Sequence, residues 1–131
     1  ISVIERTLHK LSNRDYISFD EKYVKLIMLS YFMLSNVYMV KSEYEVENGY
    51  IDIALLRREP IDPDYYAIFE VKYIKKSEYE MYGEKIVEEK RKEATAQIMK
   101  YHTSGELQKI PQLKKWVLVF TGDKCVVNIE K

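Results

Sequence analysis

The sequence is poor in the residues that build cross-linked, fibrous or membrane-spanning proteins. A single cysteine, Cys125, excludes a disulfide scaffold and a multi-cysteine zinc site, and it is typical of a reducing compartment. Four glycines and three prolines exclude collagen-like and low-complexity chains. The longest stretch without charge, 26–40, is too short to span a bilayer, and the N-terminus has no signal-peptide pattern. We therefore predict a cytoplasmic protein that does not enter a membrane.

The chain also lacks an excess of charge of either sign. Basic and acidic residues number 21 each, which excludes a histone-like polymer binder and an acidic disordered tail. Apolar residues make up 47% of the 131, enough for a folded core. We therefore predict one domain over 1–131, with 1–19 as an N-terminal extension. Because the first residue is Ile1 rather than Met, we expect the chain to be the C-terminal part of a longer protein.

Helical spacing of apolar residues predicts three helices. A short one within 1–19 carries Ile4, Leu8 and Leu11. A second, capped by Asp20, begins near Glu21 and ends near 35–36. Because 26–34 is apolar nearly all round, we expect this helix to be buried on more than one side. The charged stretch 75–93 is predicted to be a solvated connection that passes into a third helix, which runs to about 102 and stops near Gly105.

Five strands are predicted from alternation and β-branched content. They cover 37–47, 50–57, 66–74, 116–120 and 125–129. Asn48-Gly49 indicates a hairpin between the first two, and Tyr38 to Val46 are expected to alternate on one regular strand. The apolar run 67–69 indicates that the third strand is central. The order of helix, three strands, helix and two strands predicts an α/β domain with helices packed on a mixed sheet.

Two charged residues interrupt the third strand. Alternation places Glu70 and Lys72 on one face, while the neighbouring strand places Asp52 on a face with Tyr50, Ala54 and Leu56. Buried charges are costly unless they are paired or bind a metal, so two carboxylates and one ammonium are predicted to meet. Such a cluster suits Mg²⁺ or Mn²⁺, with the backbone carbonyl of Val71 as a further ligand. The alternative is an ordinary salt bridge, exposed at a sheet edge.

A family resemblance supports the metal interpretation. Residues 48–52, Asn-Gly-Tyr-Ile-Asp, residues 69–72, Phe-Glu-Val-Lys, and residues 97–101, Gln-Ile-Met-Lys-Tyr, resemble motifs of the PD-(D/E)XK nuclease superfamily. The resemblance covers roughly 20–130. It is greatest to the C-terminal nuclease domain of predicted AAA-type ATPases from anaerobic bacteria. It implies a restriction-endonuclease-like α/β fold with a central mixed sheet in α-β-β-β-α-β order.

The same resemblance implies roles for particular residues. Asp52 and Glu70 would be metal ligands, and Lys72 would be the catalytic lysine. Gln97 and Tyr101 match a motif of RecB-like nucleases, in which this helix faces the active site. An additional acid often comes from the first helix, and Glu21 is the best-placed candidate; a first-turn glutamate that favours the helix dipole is the equal alternative.

One departure from the family pattern concerns the residue before the hydrophobic-Asp pair. The family often has Gly-Arg there, whereas this chain has Gly49-Tyr50, which removes a phosphate contact. Separately, the neutral total charge indicates that at least some of the basic clusters are solvated faces rather than phosphate contacts, so we expect modest DNA affinity. The leading hypothesis is a metal-dependent nuclease acting on DNA, with an upstream ATPase domain as partner; a homodimer is left open. The alternatives are a non-cleaving module that binds nucleic acid or a partner, and a nuclease that is active only when the ATPase is attached.

Overall fold

The computed structural model describes residues 1–131 and contains five helices and five strands. The helices are α1 (Ser2–His9), α2 (Glu21–Phe32), α3 (Lys76–Tyr82), α4 (Glu84–His102) and α5 (Gly105–Gln108). The strands are β1 (Tyr38–Val46), β2 (Gly49–Arg57), β3 (Tyr66–Ile74), β4 (Leu113–Thr121) and β5 (Lys124–Glu130). No helix combines the length and the apolar character that crossing a membrane requires.

The strands form one mixed sheet in the order β1-β2-β3-β4-β5. Only β3 and β4 are parallel, and their connection passes through α3, α4 and α5. The other neighbours are antiparallel hairpins or short connections, including the predicted one at Asn48-Gly49. The prediction of a mixed sheet flanked by helices, with β3 in the interior, is confirmed.

Two apolar clusters hold the helices against opposite faces of the sheet. On one face, α1 and α2 pack on side chains such as Val71 and Phe120. On the other, α4 and α5 pack on side chains such as Ile68 and Val117. Since β3 contributes to both clusters, its side chains lie between layers, and none of them is fully exposed. This arrangement explains how charged groups in β3 come to be held away from water.

The prediction that α2 is buried on more than one side is wrong. Val24 and Met28 are buried, but Leu26, Met33 and Leu34 are 57%, 70% and 78% exposed. The helix forms an outer layer, so only the side that faces the sheet meets protein. The apolar residues on its other side and just beyond its end therefore face solvent.

The stretch 75–93 is largely solvated and passes into a helix that ends at His102, as predicted, but it is helical already from Lys76 rather than an irregular connection. Gly83, at φ +58°, interrupts the helix and separates α3 from α4. Charged residues cover the exposed faces, while Ile86 and Val87 anchor the start of α4 in a small third cluster. Gly105 was predicted to stop the helix. It instead begins the short α5.

Strand β1 does not keep one face along its length. Tyr38 and Val40 pack with the α2 side, whereas Tyr44 and Val46 pack with the α4 side. Between them lies Glu43, whose φ of +49° is in the left-handed region that few residues other than glycine adopt. The local distortion reverses the alternation, so the prediction of a regular strand fails at this residue.

Candidate functional site

The site begins where strands β2 and β3 separate. Their ladder runs from the Leu55–Ala67 pair to the Ile53–Phe69 pair and goes no further. The next residue of β2 is Asp52, and its carboxylate Oδ2 accepts a hydrogen bond of 2.8 Å from the backbone N–H of Val71. The side chain thus supplies the acceptor that a paired strand would otherwise provide. It also fixes Asp52 beside the β3 segment that carries Glu70 and Lys72.

Glu70 and Lys72 lie in the interior of the sheet rather than at an exposed edge. Glu70 is only 3% exposed, and its Oε1 is 4.0 Å from the Lys72 Nζ, whose side chain is 13% exposed. The other oxygen of Glu70, Oε2, is buried and has no hydrogen-bond partner. The alternative of a salt bridge at an exposed sheet edge is therefore wrong. A buried carboxylate with a free oxygen is costly and requires a compensating group.

Burial raises the pKa of both carboxyl groups, and the charge of Asp52 raises that of Glu70 further. Burial, and then the charge of Asp52, raise the pKa of Glu70 to about 8, against the opposing attraction of Lys72. Burial also raises the pKa of Asp52, although the Val71 hydrogen bond lowers it in part. The positive charge of the protein is thus not enough to keep Glu70 ionised at neutral pH. A bound cation would favour the ionised carboxylate.

Glu21 approaches the same region from the start of α2. Asp20 caps this helix, as predicted, by accepting a 2.9 Å hydrogen bond from the backbone N–H of Lys22. Burial raises the pKa of Glu21, while the charges of Lys72 and Asp52 act on it in opposite directions. Glu21 and Asp52 both line one open cleft of about 470 Å³. The structure thus places Glu21 within electrostatic reach of the β3 pair.

Helix α4 faces the site from the other side of the sheet. Ala94, Ile98 and Tyr101 are buried, so the predicted inward stripe is confirmed. The Oε1 of Gln97 is buried without a partner. Burial, and then the negative charge of Glu70, raise the pKa of Tyr101 to about 12. The stripe therefore presents a free amide oxygen and a protonated phenol on the Glu70 side.

The cleft also contains an ion pair that the sequence prediction did not include. Lys25 and Glu43 line the cleft together with Asp52, and the Lys25 ammonium forms an ion pair with the Glu43 carboxylate. The spacing of Glu21 and Lys25, four residues apart, places both on one side of α2 and was the available signal. Glu43 carried no such signal, because its position depends on the left-handed backbone within β1.

The donor atoms suit a divalent cation of the Mg²⁺ type. No three side chains among the histidines, cysteines, aspartates and glutamates are grouped closely enough to hold a metal by themselves. Mg²⁺ does not need such a cage, because it keeps several waters and takes one or two carboxylates together with substrate oxygens. Asp52 and Glu70 supply two carboxylates, of which Glu70 has an oxygen with no partner. The chemistry of the site therefore fits the ion.

Comparison with known proteins agrees with this geometry. Residues 19–130 match the family model of the PD-(D/E)XK nuclease superfamily, whose members generally use divalent metals. No curated protein and no solved structure matches the chain. The matched range contains every strand and the helices α2 to α5, and the mixed sheet has the restriction-endonuclease-like arrangement. The chain belongs to the PD-(D/E)XK nuclease superfamily.

Proposed function

We propose that this chain is a metal-dependent nuclease that hydrolyses phosphodiester bonds in DNA. The observation that carries the proposal is Glu70, which is almost fully buried beside Asp52 and Lys72 and keeps a free carboxylate oxygen. A structural ion pair would satisfy its oxygens within the protein. A site that binds a cation leaves oxygens free for that cation.

In this proposal Asp52, Glu70 and the backbone carbonyl of Val71 hold Mg²⁺ or Mn²⁺. When bound, the cation supplies positive charge to the phosphate and lowers the pKa of a bound water. Asp52 is held for this purpose by the Val71 amide, which leaves its second oxygen for a ligand. Lys72 lies mostly out of solvent next to Glu70. Its Nζ positions the attacking water and assists removal of a proton from that water.

The other predicted residues have supporting roles. Glu21 lines the same cleft as Asp52 and assists in holding the cation or its waters. Gln97 and Tyr101 orient the site or the nucleic acid from the α4 side. Their support is the partnerless Gln97 Oε1 and the proximity of Tyr101 to the charge of Glu70.

The biological setting is proposed from the resemblance alone. The domain would act in the cytoplasm next to an upstream AAA-type ATPase, whose nucleotide hydrolysis would control access to DNA. A homodimer would bring two cleavage sites together on a duplex. Analytical ultracentrifugation of the chain with and without DNA would show whether it forms this homodimer.

The test is cleavage of plasmid and single-stranded DNA in Mg²⁺, in Mn²⁺ and in EDTA. Lys72→Met should reduce cleavage by roughly two orders of magnitude or more, as expected when a group that acts in proton transfer is removed. Asp52→Asn should also reduce cleavage strongly, because it removes the charge of a carboxylate ligand of the cation. Asn keeps an acceptor for the Val71 amide, so the fold should survive. Lys109→Met, at an exposed lysine, is the matched control and should cleave as the wild type does.

Unchanged cleavage by both site variants would refute this assignment. If the wild type binds DNA but calorimetry shows no divalent cation bound and no DNA is cut, the non-cleaving module is the correct function. Thermal unfolding of each variant separates loss of the site from loss of the fold.

A further inference from the structure

The cleft is lined by a largely buried lysine, Lys25, that the family motifs do not include. The Lys25 side chain is 13% exposed, the same fraction as that of Lys72. It projects from α2 into the cleft that Asp52 lines, and its one ion-pair partner is Glu43. An ammonium has three N–H donors, so a single carboxylate does not exhaust it. The other N–H donors of the Lys25 ammonium are therefore available to solvent or to a ligand in this open, polar cleft.

The partner of Lys25 is held in an unusual way. The pairs Ser42–Ile53 and Tyr44–Ile51 bracket Glu43 and Asp52, so these two residues lie opposite each other across β1 and β2. Glu43 adopts φ +49° within this paired region. A non-glycine residue rarely holds this conformation in a strand, and such residues concentrate at functional sites. Glu43, with a side chain that is 53% exposed, lines the cleft and forms its ion pair with Lys25 there.

The charges around the Lys25–Glu43 ion pair indicate that it contributes little to the stability of the fold. Glu43 adds a carboxylate to a region that already holds Glu21, Asp52 and Glu70, and its charge raises the pKa of both Asp52 and Glu70. A half-exposed ion pair contributes little to stability. The local backbone strain and the added repulsion both oppose the arrangement, so its benefit lies elsewhere.

We infer that Lys25 is a phosphate-binding residue of the cleft and that Glu43 occupies the place of the phosphate until nucleic acid enters. On entry, the Lys25 ammonium exchanges the Glu43 carboxylate for a non-bridging phosphate oxygen, and Glu43 turns to solvent. The exchange makes no covalent bond. It places a backbone phosphate next to Asp52, and it compensates for the arginine that this chain lacks at Tyr50. This inference rests on the proposed nuclease function.

The experiment measures binding rather than cleavage, so that the two proposals fail separately. A fluorescein-labelled DNA duplex is titrated with the full chain in EDTA at several salt concentrations, and the slope of log affinity against log salt is determined. Lys25→Met should weaken binding roughly tenfold, the effect of losing one charged hydrogen bond. It should also reduce the salt slope by about 0.9, the value for one phosphate contact. Lys25→Arg should keep the slope, and Lys109→Met is the matched control.

Glu43→Gln gives a result of opposite sign. Removing the competing carboxylate should strengthen binding several-fold while leaving the salt slope at the wild-type value. If the pair were only structural, both Lys25→Met and Glu43→Gln would loosen the fold and weaken binding together. An unchanged salt slope in Lys25→Met, weaker binding in Glu43→Gln, or no binding by the wild type overturns the inference. Absence of cleavage in Mg²⁺ together with the predicted slopes would overturn the nuclease proposal alone.

Discussion

Replacing Glu70 with glutamine should make the metal-free protein more stable at neutral and alkaline pH. In the folded chain the pKa of Glu70 is raised from 4.5 to about 8, first by burial and then by the charge of Asp52. Between these two values the unfolded chain has lost the proton and the folded chain has kept it. The contribution of protonated Glu70 to the free energy of unfolding is therefore fully present below pH 4.5 and is lost as pH rises towards 8. Above pH 8, Glu70 is ionised in both the folded and the unfolded chain.

The size of the effect follows from the width of this window. One pKa unit corresponds to about 1.4 kcal/mol, so the difference between 4.5 and about 8 lowers the free energy of unfolding of the wild type by on the order of 4 kcal/mol by pH 8. Glutamine has a similar shape and cannot ionise. The free energy of unfolding of Glu70→Gln minus that of the wild type should rise by that amount between pH 4 and pH 8, because titration of unrelated groups largely cancels in the difference.

Urea unfolding in EDTA, followed by circular dichroism at several pH values, measures this difference. Glu130→Gln, at an exposed glutamate of β5, is the matched control and should show a flat difference. Adding Mg²⁺ at pH 8 should then stabilise the wild type more than Glu70→Gln, since binding to the folded state alone raises stability. A Glu70→Gln difference that stays flat from pH 4 to pH 8 would show that the pKa of Glu70 is not raised in the folded chain.

Three further substitutions test the parts of the fold that hold the site, each by urea unfolding. Gly49→Ala should cost about 1–2 kcal/mol, because φ is +139° and a Cβ would lie 3.2 Å from the Tyr101 ring; wild-type stability would contradict this packing. Asp20→Ala should cost about 1 kcal/mol through loss of the cap on the Lys22 amide, whereas Asp20→Asn should be nearly neutral. Phe120→Ala should cost about 3–5 kcal/mol because the side chain is fully buried, and a loss below 1 kcal/mol would refute its place in the core.

The sequence predicted best those features that depend on neighbouring residues. Strand β3 has the predicted bounds, since an apolar run followed by a charged stretch defines a strand locally. The cap at Asp20 and the stripe of α4 are likewise local patterns. The exposure of Leu26 and Leu34 was not predictable, because it depends on how many layers cover α2.

In the site, too, the local features could be predicted from the sequence and those that depend on tertiary structure could not. That Glu70 and Lys72 share a face of a buried strand follows from alternation alone. That Asp52 reaches the Val71 amide depends on β2 leaving the ladder, and Glu43 reaches the cleft through a left-handed residue. Local residue preferences disfavour both features, so neither could be read from a regular strand pattern.

The hydrogen bond between Asp52 and the Val71 amide has a consequence for measurement. The amide hydrogens of an interior strand normally exchange with deuterium only when the strands part, and therefore report unfolding of the sheet. The Val71 amide is closed by a side chain, so rotation of one carboxylate is enough to open it. Deuterium uptake by the Val71 amide, followed by NMR and compared with that of neighbouring amides, would show how often Asp52 leaves its resting position. This amide therefore reports motion of a site residue and not only unfolding of the sheet.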